Sequence, residues 1–126
     1  MAYNSERRRY KRFSIPGMTI IFQEKRWFFS SQESTQKYLL TDISKGGLCF
    51  VCNESLVIGN KLVVQLLMPD DTSFKLNSVV KNQYWTGDSN KRRTGIEFMT
   101  FLNRCGWNSR KSLDILSRLD KQYAGN

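Results

Sequence analysis

The sequence contains no histidine, which removes the commonest general base and the commonest metal ligand of proteins. It contains no P-loop and no cluster of metal-ligand residues either. No segment approaches the roughly 18 apolar residues of a membrane-spanning helix. The basic run after Met-Ala-Tyr-Asn is not followed by the apolar core of a signal peptide. We therefore expect a soluble, cytoplasmic protein that is not an enzyme and needs no cofactor.

Acidic residues are scarce: 11 Asp and Glu stand against 20 Lys and Arg, for a formal net charge of +9 and a pI near 9.7. A chain this basic favours partners such as nucleotides, nucleic acid, anionic lipid or an acidic protein face. Charge alone does not choose among them.

Cysteine is also rare, and its odd count of three favours reduced thiols over a disulfide framework. Cys49 and Cys52 form a CxxC pair inside an apolar run. Residues three apart on a strand point to opposite faces, so the pattern does not favour a chelate or a redox pair. We expect both thiols to serve packing.

Turn signals divide the 126 residues, enough for one domain, into short strands followed by one amphipathic segment. In that segment Leu113, Leu116, Leu119 and Tyr123 recur at helical spacing, which predicts a C-terminal helix over about 103–123, capped by Asn103 or Asn108. The predicted strands cover residues 18–23, 37–41, 48–52, 61–68, 74–85 and 91–99. This pattern predicts a mainly β fold, a six-stranded antiparallel barrel with a helix packed on it.

Two short motifs carry the functional information. The basic arm, residues 1–13, contains RxxxR at Arg8 and Arg12, and a later turn reads DxSxxG at Asp42, Ser44 and Gly47. Arginine forks bind phosphate oxygens and the O6/N7 edge of guanine, and glycine lets backbone approach a ligand closely. Each motif alone also fits a plainer interpretation, a solvated arm and an ordinary turn whose glycine needs a positive φ. Together they indicate a receptor for a guanine nucleotide.

The two motifs, with Gly95-Ile96-Glu97-Phe98 before the final helix, resemble the PilZ domain, a bacterial receptor module for cyclic di-GMP. The resemblance covers essentially the whole chain. It implies an arm over 1–13 and a barrel domain over 14–126, with the ligand on the outer surface of the barrel. The implied ligand-binding residues are Arg7, Arg8, Arg9, Arg12, Asp42, Ser44 and Gly47.

Trp85 is an additional candidate for ligand binding. By strict alternation along its strand, Trp85 falls on the exposed odd face with Lys75, Asn77 and Lys81, unless a bulge intervenes. An exposed Trp is a platform on which a guanine can stack. The alternative is a Trp that caps the barrel end. The nearby cluster Lys91-Arg92-Arg93 either extends the positive field or simply solubilises a hairpin tip.

The resemblance implies a receptor or adaptor that switches conformation when ligand orders a mobile arm, and then signals to an unidentified effector protein in motility, pilus, biofilm or exopolysaccharide control. We expect a monomer or weak homodimer and no nucleic-acid partner. Two alternatives stay open: a nucleic-acid-binding basic barrel, and a PilZ-like adaptor that acts without ligand.

Overall fold

Seven strands form one antiparallel sheet that closes on itself. The computed structural model describes residues 11–24, the backbone of 32–33, and residues 36–87, 90–101 and 108–124. The sheet order is β2-β1-β3-β4-β7-β6-β5, and β1 also pairs with β5. The closed barrel therefore has six strands, as the sequence predicted, and β2 is a short addition beside β1. The strands are β1 (Thr19–Glu24), β2 (Gln32–Glu33), β3 (Tyr38–Ile43), β4 (Gly47–Cys52), β5 (Lys61–Leu67), β6 (Ser73–Trp85) and β7 (Arg92–Phe98).

Strict alternation along β5 shows how the sequence builds the barrel. Leu62, Val64 and Leu66 are fully buried, while the residues between them face outward. A strand with this period of two must place one face against a core. Inside the barrel, Phe22, Tyr38 and Phe50 contact one another with ring centroids 5.8 to 6.0 Å apart.

A bulge interrupts the alternation of β6. Val80 pairs with Ile96, but the next pair is Asn82 with Gly95, so Lys81 is an extra residue. Beyond the bulge the inward residue is Gln83, whose amide nitrogen donates to the buried Thr94 Oγ1 at 3.0 Å. The bulge therefore exchanges the faces of every residue from Asn82 to Trp85.

The C-terminal helix, α1 (Arg110–Leu119), continues into one π-helical turn, Asp120–Ala124. Leu116 and Leu119 are buried against the barrel, as the amphipathic pattern predicted. Ser109 caps the helix, because its Oγ accepts from Ser112 N at 3.2 Å. The expectation of a cap at Asn108 is therefore wrong, and Asn103 lies outside the described residues.

The Asn108 side chain instead binds backbone groups of the barrel. Its side-chain oxygen accepts from Asn77 N at 2.6 Å, and its amide nitrogen donates to Asn77 O and Met99 O at 2.9 and 3.0 Å. The buried side chain thus joins the backbone of β6 at Asn77 to the chain after β7 at Met99. It holds the approach to α1 against the barrel.

The two described cysteines lie on opposite faces of β4, as their spacing predicted. Cys52 packs in the core, where its sulfur lies 3.5 Å from Thr94 Oγ1. Cys49 is buried on the outer side and accepts a hydrogen bond from Arg93 Nε at 3.4 Å. Neither forms a disulfide. Cys105 lies outside the described residues.

No helix in the described ranges is both long enough and apolar enough to cross a bilayer.

Candidate functional site

The DxSxxG motif forms the tight turn between β3 and β4. Ser44 N donates to Gly47 O at 2.8 Å, and Gly46 N donates to Ser44 Oγ at 3.0 Å. The serine hydroxyl therefore closes the turn itself, as serine commonly does. Ser44 is buried, so its described role is to shape the turn.

Gly47 is required by a close approach of two strands. It is not among the described residues with positive φ, so the left-handed conformation expected of an ordinary turn glycine is wrong here. A Cβ at this position would collide with the carbonyl oxygen of Ile96 on β7. Only glycine lets β4 and β7 pair at this point.

The end of the arm pairs with the end of β3 through one antiparallel β-bridge, between Phe13 and Ile43. Phe13 N donates to Ile43 O, and Ile43 N donates to Phe13 O, both at 2.8 Å. Phe13 is buried in the barrel core. This anchor places Arg12 beside Asp42, and Arg12 Nη1 donates to Asp42 Oδ1 at 2.9 Å. One arginine of RxxxR and the aspartate of DxSxxG therefore form one site.

Four outward-facing residues lie side by side on the neighbouring strands β3, β4, β7 and β6, and Asp42 is the first of them. The cross-strand register pairs Asp42 with Cys49, Cys49 with Gly95, and Gly95 with Asn82. Gly95 has no side chain, and the Asn82 side chain occupies the space that a Cβ at Gly95 would take.

Arg93, a member of the cluster Lys91-Arg92-Arg93 that the sequence offered as an extension of the positive field, lies on the same surface. Its Nε donates to Cys49 Sγ. The pKa of Arg93 is raised chiefly by that hydrogen bond and by the electrostatic interaction with Cys49, is lowered slightly by burial, and is raised least by the charge of Asp42. Arg93 is thus a permanent cation on the same outer face as Asp42. The sequence signal for this placement was the position of Arg93 two residues before Gly95, because residues two apart on a strand lie on the same face.

The bulge in β6 determines which aromatic residue faces this surface. Tyr84 pairs with Arg93 and lies on the outer face with Asn82. Trp85 pairs with Arg92 and, like Gln83 two residues before it, occupies an inward-facing position of the strand. Both rings are about two-thirds exposed, 64% for Tyr84 and 67% for Trp85. The predicted exposure of Trp85 is confirmed, but the alternation that placed it on the odd outer face is broken by the bulge.

A cavity of about 670 Å³ opens beside the turn. One wall is the arm and the turn, with Arg12, Lys45 and Gly47, and the other is formed by the end of β7 and by α1, with Phe98 and Leu113. Lys45 Nζ lies 3.6 Å from Asp120 Oδ2 in the π-helical turn. The turn is therefore linked to the C-terminal segment across this cavity.

The described geometry brings Arg12, Asp42, Ser44 and Gly47 together and leaves Trp85 at the rim of the barrel. Arg7, Arg8 and Arg9 lie outside the described residues, as do Trp27 and Trp107. Within the ranges that the structure describes, no group of three or more His, Cys, Asp or Glu side chains is placed to hold a metal ion.

Comparisons with known proteins agree with this architecture. The family profile of the PilZ domain matches residues 6–105. No curated protein matches the chain.

Several solved structures share the fold. YcgR from Escherichia coli, solved in complex with c-di-GMP, aligns with a TM-score of 0.65 and 22% identity over 92% of this chain and 45% of that one. The Bacillus subtilis inhibitor of motility MotI/DgrA aligns with a TM-score of 0.57 and 19% identity over 92% of this chain and 52% of that one. The K. pneumonia MrkH–c-di-GMP complex aligns with a TM-score of 0.62 and 15% identity over 90% and 49%.

The chain spans about half the length of these three proteins. At such identities the alignments establish the shared barrel alone. The family profile, which covers most of the sequence including both motifs, establishes the membership: this chain belongs to the PilZ domain family.

Proposed function

We propose that the chain is a non-enzymatic receptor for cyclic di-GMP, bound on the outer surface of the barrel around Arg12 and Asp42. The observation that carries the proposal is the 2.9 Å contact between these two residues, which unites both motifs in one site. The solved complexes of YcgR and MrkH with c-di-GMP show that ligand on proteins of similar fold.

The charges of the site suit the ligand. Cyclic di-GMP carries two phosphates; Arg12 contacts Asp42, and Arg93 is a second cation on the same outer face. Bidentate contacts from guanidinium groups to phosphate or to the guanine edge are the strongest hydrogen bonds available here. In the proposal, Asp42 orients Arg12 for this contact, and Arg7, Arg8 and Arg9 add further cations from the arm.

Ligand binding would act on the arm and on the turn together. The ligand phosphates bind the arginines that precede Phe13, while the turn connects to α1 through Lys45 and Asp120. A ligand that contacts both elements shifts the protein only by its differential affinity for the two arrangements. We propose that this change is passed to a separate effector protein in motility, pilus, biofilm or exopolysaccharide control, with the protein acting in the cytoplasm.

Calorimetric titration with cyclic di-GMP tests the proposal. We expect saturable binding at micromolar ligand, and loss of high-affinity binding in Arg12→Ala and in Arg8→Ala. Lys75→Ala is the matched control, since Lys75 is an exposed cation on β6 that pairs with β5 on another side of the barrel. Absence of heat with the wild-type chain, or equal binding by the Arg12 variant, would contradict the proposed site.

The nucleic-acid alternative has its own readout. A basic barrel that binds oligonucleotides through phosphates loses affinity steeply with salt and shows little nucleotide selectivity. Competition of cyclic di-GMP against a single-stranded oligonucleotide distinguishes the two functions.

A further inference from the structure

Exposed apolar side chains concentrate at one end of the barrel. Four of the five large hydrophobic residues that are exposed in the described part of the chain lie on the loop after β4 and on the last residues of β6. They are Val57 (63% exposed), Ile58 (64%), Tyr84 (64%) and Trp85 (67%), and the fifth is Leu39 (70%) on β3. Clustered exposure of this kind indicates an interaction surface more strongly than scattered exposure does.

Hydrogen bonds hold the loop against the strand, so the cluster is built into the fold. Gly59 N donates to Val80 O and Val80 N donates to Asn60 O, both at 2.9 Å. Leu56 N donates to the side-chain oxygen of Gln83 at 3.0 Å. Val57 and Ile58 lie between these attachment points, next to the end of β6. We call Val57, Ile58 and Trp85, with Tyr84 at their edge, the rim patch.

The segments that carry the rim patch are rich in cations. Residues 53–61 and 80–93 contain five cations against two acids, Glu54 and Asp88. The carboxylate of Glu54 already accepts from Tyr38 Oη at 3.1 Å, and Glu24 of β1 accepts from Asn60 Nδ2 at 2.7 Å. The cations are Lys61, Lys81, Lys91, Arg92 and Arg93.

From this composition we propose that the rim patch docks on the surface of an anionic lipid bilayer. Trp and Tyr prefer the headgroup level of membranes, and lysine and arginine beside them are attracted to anionic lipid. Aliphatic residues on a neighbouring loop add apolar area that enters the interface shallowly. The proposal goes beyond nucleotide binding and does not depend on it.

Other occupants fit the rim patch less well. A second copy of the chain also carries a net charge of +9 and would bring cations against cations. Single-stranded nucleic acid stacks on aromatic rings, but Val57 and Ile58 have none, and Tyr84 and Trp85 lie on opposite faces of β6.

Vesicle co-sedimentation tests the proposal with the full chain. Vesicles of phosphatidylcholine mixed with phosphatidylglycerol should bind the wild type, and vesicles of phosphatidylcholine alone should bind it much less. The double variant Val57→Ser, Ile58→Ser keeps the net charge and should lower partitioning about tenfold. Leu67→Ser is the control, because Leu67 is a partly exposed apolar residue that pairs with Ser73 at the start of β6, the end opposite the rim patch, and this variant should bind as the wild type does.

A second measurement keeps the test valid if the double variant folds poorly. Vesicles that contain brominated phosphatidylglycerol should quench part of the tryptophan emission of the wild type, and this part should be absent in Trp85→Phe. The proposal is overturned if the folded double variant binds as tightly as the wild type, because adsorption would then depend on charge alone. Absence of wild-type binding, or quenching that does not change in Trp85→Phe, would overturn it equally.

Discussion

Arg12 and Asp42 are thirty residues apart in the chain, yet Arg12 Nη1 lies 2.9 Å from Asp42 Oδ1. The bridge between Phe13 and Ile43 accounts for this contact, because it fixes the backbone one residue away from each partner. The pair is partly exposed, so its contribution to stability is small, about 0–1 kcal/mol. Its value is that it presents an oriented guanidinium at the mouth of the site.

The first prediction separates binding from stability at this pair. Arg12→Ala should abolish high-affinity binding of cyclic di-GMP and leave the melting temperature almost unchanged. Arg12→Lys keeps the charge but loses the planar fork, so we expect an intermediate affinity. Calorimetry and thermal melting of the same samples measure both effects. Normal binding by Arg12→Ala would place the ligand elsewhere.

Glycine at position 47 should be necessary for the fold itself. Gly47→Ala puts a methyl group against the Ile96 carbonyl oxygen, and the backbone of β7 could move away only by breaking its pairing with β4. We expect a loss of about 1–3 kcal/mol in the free energy of unfolding, measured by denaturant titration.

The control for this prediction is Gly95→Ala, whose methyl group would meet the side chain of Asn82 first, and not backbone. That cost should be smaller, and the second change Asn82→Ala should relieve it. Equal stability of Gly47→Ala and the wild type would contradict the close approach of β4 and β7.

The Asn108 side chain should contribute more to the free energy of unfolding than the Ser109 cap of α1 does. Its three hydrogen bonds to Asn77 and Met99 are shielded from solvent in part, and removal of the amide loses all three at once. We expect Asn108→Ala to lower the free energy of unfolding by about 2–4 kcal/mol. Ser109→Ala, which removes only the cap of α1, should cost about 1 kcal/mol. Chemical denaturation of the two variants side by side gives the comparison, and a milder effect at Asn108 than at Ser109 would refute it.

The two neighbouring aromatics make separable predictions for ligand stacking. If guanine stacks on the outer face, Tyr84→Ala should weaken binding by about 1–3 kcal/mol, because Tyr84 shares that face with Asn82 and Arg93. If the ligand instead reaches around the rim, the loss should appear in Trp85→Ala, as the sequence alone predicted. Titration of both variants against the conservative changes Tyr84→Phe and Trp85→Phe decides which ring is used.

Ligand affinity should be nearly constant between pH 6 and pH 8, about the range in which histidine would titrate. The sequence has no histidine, and the pKa of Arg93 is raised by its hydrogen bond to Cys49. A raised pKa for a cation means that its charge is fully present below its ordinary value and is lost only at still higher pH, far above this window. Calorimetry at several pH values checks this, and a tenfold change across the range would indicate a titrating group outside the arginine set.

Much of the fold was predictable because strand alternation follows local rules. Leu62, Val64 and Leu66 identify one buried face of β5, and Leu116 with Leu119 identifies that of α1. The helix start was less predictable, because Asn108 and Ser109 are adjacent and both are good caps. The hydrogen bonds of Asn108 to Asn77 and Met99 assign it elsewhere, and they depend on tertiary packing.

The site was predictable in its motifs and not in its full surface. Asp42 and Gly47 were found by pattern, whereas Arg93 and Asn82 depend on how four strands align. The bulge was the decisive unknown, since a single extra residue leaves almost no trace in the hydrophobic pattern.

The extra residue in β6 also decides how the strand would respond to a deletion. Removal of Lys81 would place Asn82 directly after Val80, and the pairs Asn82 with Gly95 and Tyr84 with Arg93 would persist in a regular ladder with β7. The strand would lose only the local bend that a bulge adds. Loss of that one codon would therefore leave each aromatic ring on the surface it now occupies.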